Sequence, residues 1–362
     1  MEILGPDILR IATNLSVLLS GLSLLLLGVI VVIRLKAESR ATHRSRYRHR
    51  VEPLVAGFVA GRKGVEEVTP QLTKDPDEAL ALLMEVSEHL RPADRPRLHA
   101  LFAVLPMRTD LRADLQGRKW ENRLAAAERL GYLGDHGTVD ELITALQDEV
   151  LVVRFAAARS LVALRSAAAV EPILAAFDVP GELNERRTAE ILYEMGEDAN
   201  EPLLAVVHDA GSGRSESVLN VASRVLGMLR CRAAVAPLTA LLKHSEFRVR
   251  LNAARALGNI GDRSVLPSLT KLTEDPSWEV RNAAVQAIGK LRGTDEIGNL
   301  VATLADSAWW VRFSSAQALF ALGQPGLDAL KEAARGATDR YARDMCIQVL
   351  EEHGIFNQGA SS

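Results

Sequence analysis

Arginine and aspartate residues recur along this chain at fixed distances from one another. Three aspartates each stand six residues before an arginine. The three pairs are Asp148 and Arg154, Asp275 and Arg281, and Asp306 and Arg312. A guanidinium presents its N–H donors in a planar fork that matches a carboxylate or a phosphate. These residues could bind an anionic ligand, but the regular recurrence favours ion pairs that lock repeats together and cap helices.

The arginines also mark a repeat of 31 residues. The anchor position of seven successive units holds Arg123, Arg154, Glu185, Leu219, Arg250, Arg281 and Arg312. Only the step from Glu185 to Leu219 is longer, at 34 residues. A self-similarity with a period of about 20–50 residues is the signature of a solenoid.

Each anchor is followed by residues with helical spacing. In the unit of Arg250, Ala253, Leu257 and Ile260 stand three, seven and ten residues further on, and the other units match this pattern. These offsets share one face of an α-helix. The residue at offset eleven is Gly134, Arg165, Gly196, Arg230, Gly261, Arg292 or Gly323. Glycine there suits the left-handed turn that ends a helix.

A second helix is predicted after a short turn. Four units carry proline near its start, at Pro172, Pro202, Pro237 and Pro267. Proline is tolerated in a first turn because its missing N–H has no helical partner there. Each unit is therefore two antiparallel helices that bury their apolar faces only when units stack.

Two stretches show the family that the repeats resemble. They are Val249–Gly258, which reads VRLNAARALG, and Glu279–Ala284, which reads EVRNAA. The pattern resembles HEAT-like repeats of the short, alanine-rich type named after phycobilin lyases, in a membrane-anchored bacterial form, over about residues 118–350. The resemblance implies an all-α solenoid and a binding scaffold. It also leaves open a bilin lyase-like enzyme, because the family includes scaffolds, chaperones and a few enzymes.

The N-terminal segment is long and apolar. Residues 11–33 carry no charge, and as a helix they would extend about 34 Å, enough to cross about 30 Å of hydrocarbon. A signal peptide is the competing interpretation, although the apolar run is long and the residues before it are hardly basic. The basic residues that follow are Arg34, Lys36, Arg40, Arg44, Arg46, Arg48 and Arg50. An excess of Lys and Arg marks the cytoplasmic side.

We therefore expect a single-pass protein of the inner membrane with its solenoid on the cytoplasmic side. The expected organisation is a transmembrane anchor at 1–35, a basic juxtamembrane segment at 36–50, an irregular helical capping region at 51–117 and the solenoid at 118–362. The basic segment should contact lipid headgroups, with binding of a partner or nucleic acid as the alternative. The span could also support homo- or hetero-association.

Composition and motifs argue against several functions. Removing the first 50 residues from a net charge of −3 leaves about −8, which argues against nucleic acid as a partner. The eight histidines show no metal-ligand spacing, and Cys231 and Cys346 show no nucleophile signature. We expect no enzymatic activity, no cofactor, no metal and no small-molecule substrate.

Aromatic residues stand three positions before several anchors. They are Trp120, Phe247, Trp278 and Trp309, with Trp310 beside the last. Each ring could staple the start of its helix, or the rings could form a row of anchors for a protein partner, since tryptophan is enriched at binding hot spots. The sequence therefore predicts a scaffold that recruits a membrane-associated partner. A narrower alternative is an accessory subunit of an envelope glycosyltransferase or polysaccharide-synthesis complex.

Overall fold

The structure is a computed structural model that describes residues 6–90, 95–105, 108–133, 136–211 and 213–355. Within these ranges only the backbone is described at residues 6–18, 20, 21, 37, 40, 88, 95, 96, 99, 103, 108–110, 133 and 136. The chain divides into two compact units, Met1–Asp110 and Leu111–Ser362. Throughout the described ranges the regular structure is helical, without strands.

The first unit contains four helices, and α5 spans the division between the units. Their bounds are α1 Pro6–Val59, α2 Val65–Leu72, α3 Pro76–His89, α4 Arg95–Ala103 and α5 Arg108–Leu115. The end of α1 buries Val51 and Val55, while α2 and α3 bury Leu72 and Leu83. At the start of α3, the Asp75 side chain accepts the Glu78 N–H. Helix α1 continues without a break through residues 35 and 50, where the sequence suggested boundaries.

The predicted membrane anchor is not supported. In the described part of the chain, no helix combines the length and the apolar character needed to span a membrane. Residues 1–5 and the side chains of residues 6–18, 20 and 21 lie outside those described. The prediction of a single-pass inner-membrane protein with a cytoplasmic solenoid is therefore wrong.

The second unit alternates first and second helices, as the repeat predicts. The first helices are α6 Trp120–Leu133, α8 Leu151–Ala163, α10 Glu182–Tyr193, α12 Glu216–Met228, α14 Phe247–Ile260, α16 Trp278–Lys290 and α18 Trp309–Ala321. The second helices are α7 Val139–Ala145, α9 Val170–Ala176, α11 Asn200–His208, α13 Val235–Leu241, α15 Leu266–Lys271, α17 Ile297–Ala302 and α19 Gln324–Gly336. Most of the predicted core positions are buried, as at Ala253, Leu257 and Ile260. This confirms an all-α solenoid.

The structure adds an eighth first helix, α20, which spans Arg340–Glu352 and packs on α18 and α19. It keeps the register of the repeat. Arg343 stands 31 residues after Arg312, and Cys346 and Leu350 occupy the buried positions. Gly354 ends the helix with a φ of 70°. The spacing of anchor and core residues in the sequence also indicates this eighth unit, which the prediction of seven units left out.

In the units where the structure describes it, the residue at offset eleven has a positive φ whether it is glycine or arginine. Arg165, Arg230 and Arg292 have φ values of 52°, 53° and 51°, close to the 68° of Gly196. After α12, the Arg230 N–H donates to Gly227 O, and the next N–H in the chain donates to Leu226 O. This pair of bonds is the Schellman arrangement that satisfies the last carbonyls of a helix. In three units this position therefore holds a residue whose Cβ is sterically unfavourable in the left-handed conformation.

The first helices approach one another through bare backbone. Gly227 and Gly258 each stand eight residues after an anchor, facing Ala256 and Ala287 of the next unit. A Cβ on Gly258 would lie 2.8 Å from the Cβ of Ala287, and one on Gly227 would lie 2.7 Å from the Cα of Ala256. Carbon atoms prefer about 3.5–4.0 Å. Glycine is therefore required for this spacing between successive first helices.

Candidate functional site

Arginines and aspartates form a ladder between successive units. The Nε and Nη2 atoms of each arginine donate to the two carboxylate oxygens of an aspartate 25 residues further on. The distances are 2.6 and 3.0 Å from Arg123 to Asp148, 2.8 and 2.9 Å from Arg250 to Asp275, and 2.6 and 2.8 Å from Arg281 to Asp306. We call these three pairs the arginine–aspartate ladder. It uses two-point pairing, which fixes orientation as well as distance.

The pairing differs from the one that the sequence suggested. The carboxylate of Asp275 binds Arg250 of the preceding unit, whereas Arg281, six residues after it, donates to the Asp275 main-chain oxygen at 2.9 Å. The carboxylate also accepts the N–H of Ser277, directly before α16, at 2.9 Å. Asp275 therefore binds two successive first helices. Its carboxylate binds Arg250 of α14, and its main-chain oxygen accepts from Arg281 of α16.

The ladder aspartates have lowered pKa values. The hydrogen bond from Arg123 is the largest influence that holds the pKa of Asp148 below its usual value. For Asp275 and Asp306, burial alone would raise the pKa, but the hydrogen bonds from Arg250 and Arg281 and from nearby backbone N–H groups outweigh it. All three carboxylates are therefore ionised at neutral pH. Their arginines are engaged within the chain, which favours the structural interpretation over an anion site.

Two anchor arginines lack a carboxylate at the ladder position. The residues 25 positions after Arg154 and Arg312 are Val179 and Ala337. Both arginines still donate from Nη1 to main-chain oxygens six residues earlier, those of Asp148 and Asp306. In each of them the buried Nε has no hydrogen-bond partner. The ladder is therefore interrupted at both places.

Glu185 replaces the arginine of the third unit with a different contact. Its carboxylate is buried and accepts a hydrogen bond from Arg248 at 3.0 Å and one from Asn220 at 3.4 Å. These residues belong to α10, α14 and α12. The contact thus joins three successive first helices where the ladder is absent.

The predicted aromatic residues stand at the starts of first helices and are exposed. We call Trp120, Phe247, Trp278, Trp309 and Trp310 the aromatic stripe. Their exposed fractions are 43, 39, 39, 42 and 55 %. Trp309 contacts its neighbours, edge-to-face with Trp310 at 4.8 Å between centroids and stacked on Phe313 at 5.1 Å. Exposure of this much ring surface leaves apolar area available for contact.

A groove of about 450 Å³ lies beside two members of the stripe. Phe247 and Trp278 line it together with Arg224, Arg255 and Asn282. The two arginines each stand five residues after an anchor, on the neighbouring helices α12 and α14. The sequence analysis did not predict this groove. A signal for it is present in the sequence, since arginine stands five residues after two successive anchors.

The basic residues expected at a membrane surface are partly engaged with acids of the first unit. Arg34 pairs with Glu38 at 3.3 Å. Arg44 pairs with Glu78, also at 3.3 Å, and Arg48 makes a two-point contact with Glu85. Lys36, Arg46 and Arg50 are exposed, and the Arg40 side chain lies outside those described. Intramolecular pairing therefore accounts for three of the seven.

Both cysteines are buried. Burial raises the pKa of the Cys346 thiol to about 11, which keeps it protonated and weakly nucleophilic at neutral pH. No cluster of three or more potential metal ligands occurs in the described ranges.

Stacked hairpins, anchors at a fixed interval and Schellman helix ends define a helical repeat protein of the α-solenoid class. Comparison with known families makes this specific. The sequence profile of HEAT repeats matches residues 109–194, 200–289 and 266–351. The chain belongs to the HEAT-repeat family.

Solved structures share this fold at low sequence identity. A mutant of Kap121p is 12% identical with a TM-score of 0.54 over 86% of this chain, and Kap121p bound to Nup53p gives 12%, 0.53 and 85%. This chain spans only about 40% of the Kap121p chain. The CpcE–CpcF complex of phycocyanin lyase from Nostoc sp. PCC7120 is 20% identical with a TM-score of 0.31, over 68% of this chain and 94% of that one. No curated protein sequence matches significantly.

Proposed function

We propose that this chain is a protein-interaction scaffold that binds a partner protein through its aromatic stripe. The observation that carries the proposal is the exposure of all five rings at the starts of first helices, between 39 and 55 %. Large aromatic side chains bury much area on contact and lose little conformational entropy, so they dominate the energetics of many interfaces. Three of the rings, Phe247, Trp278 and Trp309, stand 31 residues apart on three consecutive first helices.

The arrangement suits an elongated partner segment. Successive units repeat the same geometry, so consecutive rings present equivalent contacts at regular spacing. The arginine–aspartate ladder and the close approach of the first helices fix that spacing. Kap121p, whose fold is similar, has been solved bound to Nup53p, and protein binding by a related solenoid is consistent with the proposal.

The test compares protein capture by the wild-type chain and a W278A/W309A/W310A variant from a lysate of the source organism. The variant should remain folded, since the three rings are already about half exposed, and should lose the wild-type partner. The matched control is Tyr193→Ala, which removes an exposed aromatic side chain outside the stripe and should retain the partner. Capture of the same partner in equal amount by the triple variant would refute the proposal.

Neither narrower function has a specific observation in its favour. A role in envelope polysaccharide synthesis was based on the resemblance to membrane-anchored HEAT-like proteins, and the described helices do not support an anchor.

A further inference from the structure

The groove between α12, α14 and α16 contains two guanidinium groups without a carboxylate partner. In the described part of the chain no acidic oxygen lies within 4.0 Å of Arg224 or Arg255, whereas Arg248, in the same groove, is paired with Glu185. The Nε of Arg224 is buried and makes no hydrogen bond. The groove walls partly desolvate Arg255 and Arg224 repels it, so the pKa of Arg255 lies below its usual value although the Glu182 carboxylate attracts it. An anion placed here would relieve both costs.

The pair is specific to this part of the solenoid. At offset five, the eight units carry Glu128, Arg159, Glu190, Arg224, Arg255, Gln286, Gln317 and Gln348. Only α12 and α14 are adjacent helices with arginine at this position. Two of the other residues at this offset make contacts within the fold: Glu190 pairs with Arg186, and Gln286 donates to Ser314. The repeat therefore departs from its structural pattern where the groove lies.

The groove walls indicate a peptide rather than a free ion. Phe247 and Trp278 line the groove beside the arginines, and the Asn282 Oδ1 is buried with no hydrogen-bond partner. An amide oxygen can accept a backbone N–H, and the rings can cover apolar side chains. A guanidinium pair, a free acceptor and aromatic walls together match a short segment that presents a carboxylate next to apolar residues.

We propose that this groove binds an acidic segment of the partner protein, with an aspartate or glutamate carboxylate on Arg224 and Arg255 and flanking residues against Phe247 and Trp278. The inference rests on the proposed function, because it assigns the chemistry of that partner. Two acids of this chain, Glu182 and Glu279, also line the groove. Glu279 accepts a hydrogen bond from Ser277, and Glu182 is exposed. Glu182 should repel an acidic ligand. Neutralising Glu182 should therefore strengthen binding, whereas neutralising the two arginines should weaken it.

The experiment selects random 12-residue peptides on the full-length chain and measures the affinity of the enriched sequences. They should carry aspartate or glutamate and should bind R224Q/R255Q at least about tenfold more weakly, since a charge-assisted hydrogen bond is lost. The single variants R224Q and R255Q should each show part of that loss. Glu182→Gln should bind several times more tightly. Arg159→Gln, which removes an arginine from the same offset two units earlier, should bind like the wild type, and thermal unfolding checks the fold of each variant.

Several outcomes would overturn the inference. They are the absence of any enriched peptide, enrichment of neutral or basic sequences, equal binding by R224Q/R255Q, or weaker binding by Glu182→Gln. Phosphoserine peptides that bind better than their glutamate counterparts would assign the groove to a phosphoprotein and reject the carboxylate. If the peptide test fails while W278A/W309A/W310A loses its partner, the scaffold proposal stands alone. If acidic peptides bind but that variant keeps its partner, the stripe proposal fails instead.

Discussion

The guanidinium of Arg250 binds both carboxylate oxygens of Asp275 across the boundary between two repeats, at 2.8 and 2.9 Å. Both side chains are largely shielded, with 14 and 7 % exposed. The same guanidinium donates from Nη1 to the main-chain oxygens of His244 and Ser245. One side chain therefore connects the start of its own helix to the start of the next.

Removing this connection should destabilise the solenoid. Replacing Arg250 with Met leaves the Asp275 carboxylate without its partner, and we expect a loss of about 2–3 kcal/mol in the free energy of unfolding. Arg154→Met is the matched control, because Arg154 keeps only the main-chain contact, and it should cost clearly less. Urea unfolding measures both. Equal losses would show that the carboxylate contributes nothing.

Stability should also depend on pH through the ladder aspartates. Their pKa values are lowered in the folded chain. Their ionised form therefore stabilises the fold above the unfolded pKa of about 3.9, and this contribution is lost as the pH falls through the lower folded values. We expect the stability difference between wild type and Asp275→Asn to be full at pH 7 and to shrink below about pH 4. Urea unfolding across this range measures it, and a difference that grew on acidification would contradict the assignment.

Arginine in a left-handed helix end should be suboptimal. Replacing Arg230, with a φ of 53°, by glycine removes a steric cost that exceeds the added entropy of glycine in the unfolded chain. We expect Arg230→Gly to raise the free energy of unfolding by about 0.5–1 kcal/mol. The reciprocal change, Gly261→Ala at a φ of 89°, should lower it by about 1 kcal/mol. Thermal or urea unfolding measures whether each variant is stabilised or destabilised. Destabilisation by Arg230→Gly would mean that contacts of the Arg230 side chain contribute more to stability than the steric cost of its left-handed backbone.

The contact between Gly258 and Ala287 should tolerate no added methyl group. Gly258→Ala would place a Cβ 2.8 Å from that of Ala287, and we expect a loss of about 1–3 kcal/mol. Ala287→Gly in the same chain should recover part of it, so the double-mutant cycle should show coupling. Gly298→Ala is the control, since nothing lies within 4 Å of that position, and it should be neutral or stabilising. Additive effects at residues 258 and 287 would argue against the close approach.

Much of the solenoid could be predicted because its pattern is local. The offsets from each anchor follow from helical periodicity, and the left-handed ends follow from glycine at offset eleven. The partner of Asp275 could not be assigned, because the direction of a turn side chain depends on the packing of two units. The Glu185–Arg248 contact spans 63 residues and leaves no repeating signal. The glycines that separate the first helices occur in only some units, so their role becomes clear only from the distances.

The N-terminal prediction was wrong for a different reason. It treated the absence of charge over residues 11–33 as sufficient evidence for a membrane span, whereas in the described part of the chain no helix meets both requirements of length and apolarity. The basic residues that follow were interpreted by their charge alone. In the structure Arg44 and Arg48 meet Glu78 and Glu85, which are more than 30 residues away in sequence.

The interruption of the ladder after Arg154 has a mechanical consequence. From α8 to α14 no pair of the arginine–aspartate ladder is present, and the Arg165–Asp198 pair at the helix ends and the Glu185 contact with Arg248 and Asn220 take its place. Bending compliance should therefore concentrate in this middle section, between stiffer blocks on either side. A long segment bound along the stack would meet its most adaptable stretch before it reaches the groove, so curvature would adjust to the bound chain there at the lowest elastic cost.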